Sequence, residues 1–255
     1  MTAVAVRPWQ SVAAFPDLGS DDIHLWQFSL KTSENQSKQL RSLLSQEEIA
    51  RAARLIRPVD GLRFMFGRAR LRQLLAGYLG CNPASLQLTT LPQGKPVLVD
   101  STLSFNLSHS GELALLAIAR TLPLGVDLEQ FRPELDWKPL AGRYFSPGEQ
   151  RALQTLPPAL QTRAFITIWT RKEAWLKATG SGFHLCFDSI EVSAPPAAAA
   201  LLSCQENPAA PSQWHLEDIP MAGNYCATLS YPAPRRQVLL LQQDFGPTGA
   251  GLLIG

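Results

Sequence analysis

The chain has little cysteine and no C-x-x-C pair. Cys81, Cys186, Cys204 and Cys226 are its only thiols among 255 residues. Their wide spacing argues against a zinc site and against a compact disulfide framework, so free buried thiols are expected. Long apolar runs are also missing. No uninterrupted apolar stretch reaches about 18 residues, so no transmembrane helix is expected. Residues 1–10 are mildly apolar but broken by Pro8, without the core of a signal peptide, which points to the cytoplasm. Charge of one sign is lacking too. The formal net charge is +2, too small for a bulk nucleic-acid binder.

What remains is an ordinary globular composition, 45% hydrophobic and 17% charged. It suits one large domain or two modest ones with a full core. The positive charge is uneven. Arg41, Arg51, Arg54, Arg57, Arg63, Arg68, Arg70 and Arg72 fall within about thirty residues, a run that fits an anionic ligand. Solvation on helix surfaces accounts for several of them.

Periodicity and punctuation predict the elements. Residues 23–30 read as a strand. Ser45-Gln46-Glu47-Glu48 is a capping box that opens a helix to about Ile56, before Pro58. A second helix is expected from about Gly61 to Leu79, ended by Gly80 and Pro83. Strands are expected over 85–89, 96–99, 104–108, 113–119 and 124–129. Ser146-Pro147-Gly148-Glu149 is a second capping box, with Pro at the first helical position. A helix to about Leu156 follows, then one from about Pro158 to Ala178, closed by Gly180 and Gly182. Further strands are expected over 188–193, 214–219, 224–230 and 237–242. The Pro- and Ala-rich stretch 194–210 reads as a loop.

A weak repeat runs through this order. Ser45, Glu48, Leu55, Phe64, Arg70 and Leu75 reappear 101 residues later as Ser146, Glu149, Leu156, Phe165, Arg171 and Leu176. The predicted fold is therefore α+β, with two similar α/β halves related by a pseudo-twofold and a site in the cleft between them. The halves are placed at 1–123 and 124–245, with a Gly-rich tail at 246–255 expected to be flexible.

Two segments carry candidate chemistry. In Gly125-Val126-Asp127-Leu128-Glu129, read as a strand, Asp127 and Glu129 share one face. Their Cα atoms would lie about 6.6 Å apart, and the charges would repel by about 2.5 kcal/mol at an effective dielectric of about 20. Water, a basic partner or a cation must offset that. Hard oxygen donors without His or Cys favour Mg²⁺. In Trp169-Thr170-Arg171-Lys172-Glu173-Ala174-Trp175-Leu176-Lys177, read as a helix, Glu173 and Lys177 share a face. An ordinary surface Glu–Lys pair and a solvated strand end are the bland alternatives. Spacing alone leaves open whether Glu173 faces Asp127.

These segments resemble two signatures of the 4′-phosphopantetheinyl transferases. Phe105-Asn106-Leu107-Ser108-His109-Ser110-Gly111 resembles a third and Gly94-Lys95-Pro96 a fourth. Order and spacing are similar to the Sfp-type members, which carry two halves in one chain, and the likeness spans about 45–182. The resemblance implies Mg²⁺-dependent transfer of the phosphopantetheine arm of coenzyme A to a serine of an apo acyl, peptidyl or aryl carrier protein. Adenosine 3′,5′-bisphosphate would be the other product.

It implies that Asp127, Glu129 and Glu173 bind the metal, Mg²⁺ or alternatively Mn²⁺, and that Lys177 contacts the diphosphate. It implies that His109, with Ser108 beside it, holds the 3′-phosphate of coenzyme A, and that Gly94, Lys95 and Pro96 line the nucleotide pocket. Arg51 and Arg63 match basic positions near the same phosphate. A monomer is expected, with no nucleic-acid or membrane partner. Glu173 is the candidate general base, directly or through water. A non-catalytic coenzyme A-binding module and a Mg²⁺-dependent phosphohydrolase are the competing classes.

Overall fold

The computed structural model describes residues 8–31, 40–180 and 187–242. Helix α1 (Gln46–Ala53) opens on the expected capping box. Ser45 Oγ accepts from the Glu48 amide at 3.2 Å, and the Glu48 carboxylate accepts from the Ser45 amide at 2.9 Å. The helix stops three residues before Ile56, its end tightened by bonds from the Arg54 and Leu55 amides to the carbonyls of Arg51 and Ala52. Pro58 starts helix α2 (Pro58–Leu79), which begins before the expected Gly61. The short helix α3 (Lys138–Tyr144) was not expected, and no side chain caps its start. Helix α4 (Pro147–Thr155) carries the second capping box, and α5 (Pro158–Thr179) follows.

The two halves repeat, with a change of phase. The capping boxes recur at 101 residues. The long helices α2 and α5 are each 22 residues, start on Pro58 and Pro158, and end on left-handed Gly80 and Gly180. They recur at 100. The counterpart of Arg72 is therefore Lys172, and their contacts agree. Arg72 pairs with Glu48 at 2.9 Å and donates to the carbonyls of Pro83 and Leu86. Lys172 pairs with Glu149 at 2.6 Å and donates to the carbonyl of Ile190. The identities at Phe165, Arg171 and Leu176 are thus one position out of step with the folded repeat.

The strands are β1 (Gln10–Ser11), β2 (Asp22–Ser29), β3 (Leu88–Thr90), β4 (Pro96–Leu98), β5 (Leu103–Ser110) and β6 (Leu113–Arg120), then β7 (Gly125–Gln130), β8 (Ile190–Val192), β9 (Leu201–Cys204), β10 (Trp214–Asp218), β11 (Tyr225–Pro232) and β12 (Gln237–Gln242). One sheet has the order β1-β12-β2-β6-β5 and a second the order β10-β11-β7. β3 pairs with β4 and β8 with β9.

Three expectations change here. The sequence 194–210 is not one loop: it contains β9 and reaches the first residue of helix α6 (Ala210–Gln213). Leu201 and Cys204 are buried there, a strand too short to stand out from its Pro and Ala. The segment expected as a strand at 85–89 starts instead as the end of a turn over Pro83–Ser85, capped by Asn82, and pairing begins at Leu88. Finally, β12 returns to pair in parallel with β2 of the N-terminal half, so the sheets do not divide at residue 124. Burying Val238, Leu240 and Leu241 against β2 favours that return.

Each half has its own core, around Trp26, Phe66, Leu74 and Leu116 in one and Phe145, Phe165, Ile168 and Trp175 in the other. A third cluster, with Ile23, Leu115, Val126, Leu128, Leu229 and Tyr231, fuses the two sheets. Among the described residues no helix is long and apolar enough to cross a membrane. Cys81, Cys204 and Cys226 are free thiols. Cys186, Gly182 and the 246–255 tail lie outside the described residues.

Candidate active site

Strand β7 carries the acids against α5. A Cβ on Gly125 would lie 2.1 Å from the carbonyl oxygen of Ala174 and 2.4 Å from the amide nitrogen of Ala178. Only glycine allows the strand to touch the helix backbone there. Val126 and Leu128 point into the core, fully buried. Asp127 is buried as well, whereas the Glu129 side chain is 31% exposed at the cleft.

Helix α5 divides its motif by face. Trp175 and Leu176 pack into the core. Arg171, buried, binds the Asp218 carboxylate and the carbonyls of Ser193 and Ala197. Lys172 is wholly buried on Glu149. These two cations are structural. Glu173 and Lys177 are the polar pair left for the cleft, and both line its cavity.

The two segments meet. Lys177 Nζ donates to Asp127 Oδ1 at 2.5 Å and to Ser108 Oγ at 3.3 Å. Ser108 Oγ in turn donates to Asp127 Oδ1 at 3.0 Å. Burial alone would lower the Lys177 ammonium pKa. Asp127, with Glu173 and Glu129, outweighs that and raises it. Burial pushes Glu173 up to about 7, against the pull of Lys177 and with the help of Asp127 and Glu129. Glu129 is raised by burial first and then by Asp127, with Ser110 opposing. Each acid therefore lies in the field of the others. Even so, among the described residues no group of three or more His, Cys, Asp or Glu side chains is arranged to hold a metal ion. Lys177 answers Asp127 instead.

A cavity of about 240 Å³ adjoins this cluster. It is lined by Gln93, Gly94, Lys95, Pro96, Asn106, Leu107, Glu173, Leu176, Lys177 and Gly180, so three of the sequence motifs share one wall. Gly94 forms the turn between β3 and β4 with φ +88°. Lys95 Nζ donates to the carbonyls of Leu124 at 2.9 Å and Lys177 at 2.7 Å. It ties the hairpin to the end of α5, and burial, then Lys177, pushes it down to about 8.

His109 is exposed on β5. Desolvation, then Lys177 and Arg63, lowers its pKa, and Asp60 opposes. His109 thus lies in a positive field set by Lys177 and Arg63. Arg63 lies 3.9 Å from Asp60. Arg51 lines a neighbouring cavity with Arg68 and Arg72, its guanidinium 5.2 Å from the Phe64 ring centre, and Pro96 borders both cavities. Asn106, Leu107, Leu176 and Gln93 also line the first cavity but escaped the sequence reading. Asn106 and Leu107, inside the F-N-L-S-H-S-G run, and Leu176, inside the Trp169–Lys177 run, offered a signal; Gln93 did not.

An α+β scaffold with an acid–lysine cluster where its halves meet defines the class. Comparison places it further. The family model described as 4′-phosphopantetheinyl transferase superfamily matches residues 123–230, and the one described as 4′-phosphopantetheinyl transferase, N-terminal, matches 29–121. The 4′-phosphopantetheinyl transferase HetI of Nostoc sp. is 43% identical over 187 residues, 72% of this chain and 78% of that protein. A 4′-phosphopantetheinyl transferase of Bacillus subtilis is 31% identical over 162 residues, 63% of this chain and 70% of that protein. Among solved structures, an ACPS–CoA complex of Chronobacterium ammoniagenes overlaps 45% of this chain and 98% of that chain, at 23% identity and TM-score 0.32. The chain belongs to the 4′-phosphopantetheinyl transferase superfamily.

Proposed function

We propose that this protein transfers the 4′-phosphopantetheine arm of coenzyme A to a serine hydroxyl of an apo carrier protein. The observation that carries the reading is one cavity wall shared by the G-K-P turn, β5 and the Glu173–Lys177 face of α5, with Asp127 on Lys177. Membership of the transferase superfamily supports it. In the reaction the serine oxygen bonds to the β-phosphorus of coenzyme A. The bond from that phosphorus to the oxygen bridging the diphosphate breaks, and adenosine 3′,5′-bisphosphate leaves. Glu173, on the cavity wall beside Lys177, receives the serine proton directly or through water. Lys177, part-exposed on the cavity wall, offsets charge on the diphosphate.

The donor chemistry also suits a divalent cation, although the three carboxylates are not gathered around one point. The donors are all carboxylate oxygens, and Asp127 Oδ2 is buried without any partner. Asp127, Glu129 and Glu173 would hold Mg²⁺ or Mn²⁺, which when bound neutralises the diphosphate. His109, with Arg63 near it, takes the 3′-phosphate. Its imidazole gains a proton as the anion arrives, so coenzyme A affinity is expected to weaken as pH rises, and a flat affinity between about pH 6 and 9 would count against that role. Both halves lie in one chain, and we expect a monomer.

The test is intact mass. The protein is incubated with coenzyme A, Mg²⁺ and an apo carrier protein. A carrier heavier by one phosphopantetheine arm supports transfer. Nucleotide release with an unmodified carrier points to hydrolysis, and no turnover points to binding only.

A further inference from the structure

β5 and β7 are the facing edges of the two sheets, and no backbone ladder joins them. Side chains do so instead. Asn106 Oδ1 accepts from the Val126 amide at 2.8 Å, Ser108 Oγ from the Leu128 amide at 3.2 Å and Ser110 Oγ from the Gln130 amide at 3.0 Å. These are alternate residues on both strands, in constant register. The comb of three side chains satisfies amides on the β7 edge away from β11, which would otherwise be buried unpaired. It also leaves room between the strands that a ladder would close.

The two serines do more than satisfy amides. A hydroxyl has one proton and two lone pairs. Ser110 receives the Gln130 N–H on a lone pair and donates its proton to Glu129 Oε2 at 2.8 Å. The amide thus sets where the proton points. Asp127 has Lys177 and Ser108 on the same oxygen. Glu129 has Ser110, and beyond it Arg132 only at 4.0 Å. Ser110 is itself buried and does not line the cavity.

We propose that Ser110 is a positioning residue: anchored by the Gln130 amide, its hydroxyl fixes the Glu129 carboxylate on the β7 face that carries Asp127, where the two acids would take part in holding a cation. The inference rests on the reading of Glu129 as a metal ligand. It also gives the second serine of F-N-L-S-H-S-G a job that contact with coenzyme A does not.

Calorimetric titration with Mg²⁺ or Mn²⁺, without coenzyme A, tests it on the full chain. Ser110→Ala is expected to weaken cation affinity by about tenfold, the lower end for a group that orients a metal ligand. Ser110→Thr, which keeps the hydroxyl, is expected to restore it to within about twofold. Coenzyme A affinity measured in a chelator is expected to stay unchanged in both. A general structural role would weaken chelator-phase binding along with cation binding, and that result overturns the proposal. So does Ser110→Ala with wild-type cation affinity, which leaves the metal reading standing. A wild-type protein that takes up neither cation sinks both.

Discussion

Helices α2 and α5 are built alike, yet only α5 presents an acid–lysine pair to the cavity beside Asp127. Each starts on proline, ends on a left-handed glycine and buries a cation on the glutamate of a capping box. At the folded offset of 100, Glu173 and Lys177 stand opposite Gln73 and Gly77. Gln73 accepts from Arg70 within its own helix. Gly77 is covered by the Phe15 ring, which lies about where a Cβ would have to go. In the N-terminal half an aromatic ring covers this face at Gly77. In the C-terminal half Glu173 and Lys177 occupy it and face a cavity. The fold supplies a socket twice, and four side chains decide which copy is open.

The largest expected effect would strain the shared scaffold. Lys172→Met leaves Glu149 buried without its cation, and a loss of about 3–5 kcal/mol in urea unfolding is expected. Arg72→Met should cost less, about 1–3 kcal/mol, because the Glu48 side chain keeps some solvent contact. Equal losses would break the comparison, since burial would then not set the scale.

Next in size, Lys177→Met should lower kcat for carrier modification by about 10²–10³-fold. Gln73→Ala, at the covered copy, should leave it within about twofold. Comparable rate losses would mean that the covered face is not inert.

The smallest effect is a pH dependence confined to the N-terminal half. His24 is buried with its Nδ1 2.7 Å from the Tyr78 hydroxyl, which already accepts from Trp26 Nε1. That hydroxyl keeps a proton that a neutral His24 can accept. Burial lowers its pKa, with Asp22 opposing. The unfolded chain binds the proton more readily. Stability is thus full above about pH 6.5 and falls below it, by at most about 1.4 kcal/mol per pH unit. His24→Gln should flatten that limb in thermal melts between about pH 5 and 6.5.

Much of this was legible in the sequence, for identifiable reasons. Capping boxes at Ser45 and Ser146 and stops at Gly80 and Gly180 are local signals, and they located both helix pairs. The alternation in Gly125–Gln130 placed both acids on one face. The exchange of β12 into the other sheet was not legible, because parallel pairing with β2 leaves no local mark. Nor was the division of labour in α5. Arg171, Lys172, Glu173 and Lys177 are all charged, and only packing reveals that the first two are buried clamps. The roles of Lys95, as a strut between two carbonyls, and of Gly125, as a close approach, needed coordinates for the same reason.

The central claim is that the open face of α5 performs transfer. Single-turnover phosphopantetheine transfer by Glu173→Gln, followed by the carrier's intact mass, tests it most directly. The account predicts a rate at least about 10³-fold below wild type, with coenzyme A binding in a chelator within about threefold. Transfer by Glu173→Gln at the wild-type rate would contradict it.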